Sequence, residues 1–149
     1  MKVFGVVGWS GSGKTTFIEQ LLPFFASRGL RVSVVKHCHH PVGPEGPGKD
    51  SQRHRDAGAA QVLLASGPSL EPALERLSAC DLVIVEGFKT EPIPKLEVWR
   101  PDPGGPLLHP SDPAIIAVVS DARVATDLPV FRPDEAQAVG TFVLGRLGL

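Results

Sequence analysis

The chain has 149 residues, a formal net charge of −1, and a composition 42% hydrophobic and 21% charged. That is enough to bury the core of one domain, and the composition is neither disordered nor fibrous. The near-neutral balance excludes a global basic field that would draw bulk nucleic acid, and no apolar run reaches the ~18 residues of a membrane span.

Taken in chain order, short β-branched runs alternate with helical patterns, the signature of a parallel sheet covered by helices. The opening MKVFGVVGW predicts a strand over Lys2–Val7; its single lysine and early glycines argue against a signal peptide. A helix over Lys14–Arg28 follows, with Phe17, Ile18, Leu21, Leu22 and Phe25 on one face. Pro23 should kink it, and Gly29 suits the left-handed position that ends it. Further strands are predicted at Arg31–Lys36, Gln61–Ala65, Leu82–Glu86, Lys95–Arg100 and Ile115–Ser120, with a short one at Pro129–Phe131. Helices are predicted at Ser51–Gly58, Leu70–Ser78 and Asp134–Leu147. DLVIVEG and AIIAVVSD are nearly unbroken apolar runs, as strands buried on both faces require. Pro41–Gly48 and Pro101–Pro113 read as Pro/Gly-rich loops. No repeat or linker interrupts the chain, so residues 1–149 are expected to form a single nucleotide-binding domain. With two cysteines and no export signal, the expected location is the reducing cytoplasm.

Between the first strand and the first helix lies GWSGSGKT, a full match to G-x-x-x-x-G-K-[ST]. The glycines Gly8, Gly11 and Gly13 let backbone N–H groups around Ser10 and Ser12 approach phosphate oxygens closely. The helix start adds partial positive charge. Lys14 reaches the terminal phosphates, the Thr15 hydroxyl ligates Mg²⁺, and Thr16 completes the loop. The fold expected is therefore α/β, a P-loop NTPase-type three-layer fold with a mostly parallel sheet and helices on both faces. Such proteins place an acid at the end of a neighbouring strand to hold magnesium, and CDLVIVEGF offers Glu86 there. The alternative for Glu86 is a structural pairing with Lys89. Asp81, at the other end of that strand, reads as a surface turn residue.

The stretch KHCHH, Lys36–His40, should emerge at the same carboxyl edge of the sheet, where ligands of open α/β sheets bind. Four consecutive side chains of an extended segment cannot converge on one tetrahedral ion. His37 with His39, or Cys38 with His40, forms a metal site only with ligands from elsewhere. A disulfide between Cys38 and Cys80 is excluded, because the two lie at opposite ends of parallel strands. An anion site fits better. Lys36, His37, Lys49, Arg53 and Arg55 suit a second phosphate-bearing ligand facing the nucleotide, against the alternative of a solvated loop. Asp50 is a helix cap or, alternatively, a carboxylate that orients water or contacts magnesium.

GWSGSGKTT, RGLRVSVVKHCHH, GKDSQRHRDAGA, DLVIVEGFK and PKLEVWR, at this spacing, resemble the molybdopterin-guanine dinucleotide biosynthesis protein B family, over most of the chain. The resemblance implies a small GTP-binding adaptor with weak GTPase activity, usually dimeric. It would serve beside a guanylyltransferase that attaches GMP to molybdopterin, with neither nucleic acid nor membrane as partner. It places the phosphate loop on Gly8–Thr16, the acid motif on Glu86-Gly87, and the His and Arg motifs on Lys36–His40 and Lys49–Arg55. GTP and Mg²⁺ are the implied cofactors. No N-K-x-D motif reads guanine; Asp121, at a strand end, is the candidate base reader, with a turn or cap role as the alternative. Lys14, Asp50 and Glu86 would carry hydrolysis. Two rival readings are an ATP-dependent small-molecule kinase and a metallochaperone-type GTPase with nickel or zinc on His37–His40.

Overall fold

The computed structural model describes residues 1–39 and 49–149, with backbone alone at 49 and 50. Seven strands form one sheet: β1 (Lys2–Val7), β2 (Val32–His37), β3 (Gln61–Ala65), β4 (Leu82–Glu86), β5 (Lys95–Val98), β6 (Ile115–Val119) and β7 (Val130–Phe131). Among the described residues there are four α-helices: α1 (Lys14–Ser27), α2 (Lys49–Asp56) and α3 (Glu71–Glu75) each lie between consecutive strands from β1 to β4, and α4 (Ala136–Leu147) follows β7. The strand order is β3-β2-β4-β1-β5-β6-β7, and every pair is parallel. Helices cross over between β1, β2, β3 and β4, and the apolar runs of β4 and β6, buried along their whole length, are the sequence expression of a sheet covered on both faces.

One face packs Phe4, Val34, Ile84 and Val98 against the stripe Phe17, Ile18, Leu21, Leu22 and Phe25 of α1, joined by Val139 and Val143 of α4. Pro23 lies in α1, on an exposed position where its missing N–H leaves the buried stripe intact. Gly29 follows the helix at φ 76°, the left-handed position expected of it. The other face packs Val35, Val83, Val85 and Phe88 against Leu70 and Ala73, beside the short α3. Strand and helix bounds fall within a few residues of the sequence reading. The largest shortening is α3, which spans 71–75 where the pattern predicts Leu70–Ser78.

The segment expected to be a plain loop after β5 is more structured than its prolines and glycines suggest. It contains a turn of 3₁₀ helix at His109–Ser111, and it covers two charged side chains of β5. Lys95 is buried, donating to the Lys89 carbonyl (2.8 Å) and to Asp112 Oδ2 (2.5 Å). Glu97 is fully buried and accepts from the backbone N–H groups of Leu108 (2.6 Å) and His109 (2.9 Å), with His109 Nδ1 at 3.2 Å. Buried charges persist only when satisfied in this way.

Candidate nucleotide site

Register assembles the site. Val6 and Lys36 both stand beside Glu86, from β1 on one side of β4 and β2 on the other. The carboxyl ends of these three strands therefore open onto one edge, as the sequence pattern predicts. Gly8–Thr16, Lys36, His37, Arg53 and Glu86 line a single cavity of about 920 Å³ there. Ligand pockets commonly fall at about 300–1,000 Å³, so this one has room beyond a phosphate chain.

Lys14, the first residue of α1, folds back over the loop and donates from Nζ to the Gly8 carbonyl (2.7 Å). Burial lowers its pKa, Lys89 and Lys36 lower it further, and Glu86 opposes them. An ammonium disfavoured in this way has an electrostatic deficit that an incoming phosphate would relieve. Thr15 donates from Oγ1 to Glu86 Oε1 (2.9 Å). The other carboxylate oxygen lies 3.1 Å from His54 Nε2, and Lys36 Nζ lies 3.9 Å from Oε1. Burial alone would raise the Glu86 pKa. The contacts from His54, Lys36 and Thr15 outweigh burial and hold it below the ordinary value. An ionised carboxylate only accepts, so the His54 nitrogen facing it carries the hydrogen. Lys89 is not the partner of Glu86: its ammonium sits 4.0 Å over the ring of Trp9.

His37 stacks on Phe88 (ring centroids 4.0 Å apart) and places Nε2 2.9 Å from the Gly67 carbonyl. Its ring is 5.2 Å from that of His39. Among the described residues no three His, Cys, Asp or Glu side chains gather as a metal-binding group. Cys38 and Cys80 are both free thiols, in line with the excluded disulfide. Asp81 does serve a turn, accepting the Arg31 N–H at 2.7 Å. Arg53 reaches the cavity from α2, bonded to Glu19 Oε2 (2.7 Å) and near Thr16 Oγ1 (3.4 Å).

Two expected site residues point elsewhere. Arg55 lies two positions beyond Arg53, which turns it about 200° around the helix axis. Its guanidinium faces the Val62 carbonyl (3.5 Å), away from the cavity lining. Asp121 is exposed and 4.0 Å from Arg132, past the end of β6 and outside the lining. The side chains of Lys49 and Asp50, together with His40 and Pro41–Gly48, lie outside the described residues.

His54, which supports the site from behind Glu86, and Arg100, which lines the cavity, are given no site role by the sequence. His54, fully buried, appears in the sequence as one more member of a basic cluster. The signal is its spacing of three from Ser51, the other buried side chain among the described residues of α2, which puts both on the inward face. Arg100 lines the cavity from beyond β5; the stretch PKLEVWR ends on it, but neither that stretch nor the strand predicted over Lys95–Arg100 gives it a role.

The sequence pattern of the family described as "MobB: Molybdopterin guanine dinucleotide synthesis protein B" matches residues 3–121. The molybdopterin-guanine dinucleotide biosynthesis adapter protein of Haemophilus influenzae is 36% identical, over 95% of this chain and 86% of its own. That of Escherichia coli is also 36% identical, over 91% of this chain and 87% of its own. The crystal structure of a MobB protein homolog from Bacillus stearothermophilus superposes with a TM-score of 0.64 at 26% identity, covering 99% of each chain. A family sequence pattern matching residues 3–121, relatives 36% identical over more than nine-tenths of the chain, and a shared P-loop fold leave one assignment: the chain belongs to the molybdopterin guanine dinucleotide synthesis protein B family.

Proposed function

We propose that this chain is a GTP-binding adaptor in molybdopterin-guanine dinucleotide biosynthesis, one that hydrolyses GTP slowly in the presence of Mg²⁺. Membership of a family whose relatives carry the adapter name supports the pathway. The observation that carries the nucleotide reading is the 2.9 Å contact between Thr15 and Glu86 beside Lys14, at the mouth of the phosphate loop. The fit to magnesium is chemical: a hydroxyl and an ionised carboxylate are hard oxygen donors, the set this ion prefers. Thr15 and Glu86 would hold it, and the ion would supply charge neutralisation on the phosphates. Lys14 stabilises charge developing on the transferred phosphoryl group, while Asp50 is the candidate for orienting water. Lys36, His37 and Arg53, across the cavity from the loop, suit a second phosphate-bearing ligand, for which molybdopterin or its guanylyltransferase is the proposed partner. A cytoplasmic homodimer completes the reading.

The test is a competition titration, in which a fluorescent GTP analogue bound in Mg²⁺ is displaced by GTP, ATP and GDP in parallel. Clear guanine preference is the expected result and justifies a binding assay with the guanylyltransferase. Equal or better displacement by ATP would favour an ATP-dependent kinase.

A further inference from the structure

The structure draws attention to the chain between β5 and the 3₁₀ turn. Val98 ends β5 so close to the phosphate loop that a Cβ on Gly8 would lie 2.4 Å from its carbonyl oxygen. Beyond it, the segment 99–108 folds over the outer side of the loop. Trp9 donates from Nε1 to the Pro106 carbonyl (2.8 Å), and Trp99 from Nε1 to the Gly105 carbonyl (3.1 Å). Gly105 lies on the Trp9 indole, within 3.0 Å of two ring atoms from where its Cβ would stand. Buried Glu97 grips the far end of the segment through the N–H groups of Leu108 and His109. The strap is thus fastened to the loop and to the sheet.

This strap carries Arg100. The guanidinium lies against Gly13, at the first turn of α1: a Cβ there would be 2.7 Å from an Arg100 terminal nitrogen and 3.0 Å from Cζ. Gly13 itself has φ 99°, so the position is suited to glycine on conformational grounds as well. Arg100 also walls a smaller cavity of about 80 Å³ on the flank of α1, with Thr16, Gln20 and Pro133. Among the described residues it makes no ion pair. A guanidinium set beside a positive helix end and in one cavity with Lys14 and Lys89 is electrostatically unfavourable unless an anion completes it.

We infer that Arg100 is a phosphate-positioning residue, held by the strap 99–108 so that it meets the phosphate chain of a nucleoside di- or triphosphate. It does so from the β5 flank of the loop, opposite Glu86 and Lys36. β1 lies between β4 and β5, so the strand order itself puts these groups on the two sides of the phosphate loop. Planar, multiply donating guanidinium suits phosphate oxygens better than a second lysine. The inference rests on the nucleotide reading above and adds a residue to it.

The test is calorimetric titration of the intact chain with GDP and a non-hydrolysable GTP analogue in Mg²⁺, for wild type, Lys14→Ala, Arg100→Ala and Arg100→Lys. Arg100→Ala is expected to bind about tenfold more weakly or worse, Arg100→Lys to recover part of the loss, and ligand-free melting of Arg100→Ala to stay unchanged or rise. The Arg100→Ala deficit should shrink as salt is raised. Binding by both Arg100 variants within about twofold of wild type, while Lys14→Ala loses affinity, overturns the role of Arg100 alone. Equal losses in both variants accompanied by lower melting temperatures also overturn it, since a structural role would then suffice. A wild-type chain that binds neither nucleotide overturns the nucleotide reading itself.

Discussion

Glu86 and Lys14 make opposite demands on the ligand-free fold. Glu86 has a folded pKa below its ordinary value of 4.5, so its ionised form is favoured by folding. The stability it contributes is present above its unfolded pKa and is lost as pH falls through the folded one. Glu86→Gln should cost about 1–3 kcal/mol at neutral pH, with the gap from wild type closing as pH falls below that ordinary value. Urea midpoints at several pH values measure this; a pH-independent gap would argue against an ionised Glu86. Lys14 has the reverse sign. Its lowered pKa means the ammonium opposes folding at neutral pH, a penalty relieved only as pH rises through the folded value. Lys14→Met should therefore raise the ligand-free melting temperature while abolishing nucleotide binding, the trade expected of a functional charge. Both residues were legible in the sequence because the phosphate-loop motif and the acid after an apolar strand have fixed spacings. His54 was not, because a histidine among lysines and arginines looks solvated until its helix face is known.

The element least legible in the sequence is the strap after β5. Its prolines and glycines read as an ordinary loop, and Lys95-Leu96-Glu97-Val98 alternates like a strand with one polar face in water. In the structure that polar face is covered, with Lys95 on Asp112 and Glu97 on the Leu108 and His109 N–H groups. Sequence periodicity records the alternation but not the later segment that returns to satisfy the charges. Arg55 illustrates the same limit on a helix. Composition placed it with Arg53, while a two-residue step put it on the other side. Glu97→Ala removes the acceptor of two partly buried N–H groups and should cost up to about 1–3 kcal/mol for each left unpaired. It should also speed proteolysis within 101–108 and weaken nucleotide binding with Arg100 intact. Wild-type cleavage kinetics would count against the strap as a fixed element.

At the scale of the whole molecule, the fold class was the most legible feature: apolar runs alternating with helical patterns up to Glu86 point to a mostly parallel sheet, while the parallel pairing of β5, β6 and β7, which no α-helix separates, came only from the structure. The cavity edge followed from it, because parallel strands end together. A ligand that binds only the folded chain stabilises it by RT ln(1 + [L]/Kd), about 2.7 kcal/mol at a hundredfold excess over Kd. GTP with Mg²⁺ should therefore raise the melting temperature of wild type but not of Lys14→Met, and thermal denaturation curves at graded GTP would show it. Strand order has a further consequence for synthesis. β1 lies at the centre of the sheet, yet its neighbours are β4, paired from Lys2↔Leu82, and β5, paired from Gly5↔Lys95. The phosphate loop leaves the ribosome before either of those strands, and it has no sheet on both sides of β1 beneath it until both have emerged. Contacts so distant in sequence close slowly. A nascent chain halted before Leu82 should carry the complete GWSGSGKT motif and retain no nucleotide, gaining that capacity only once the strands that flank it have been made.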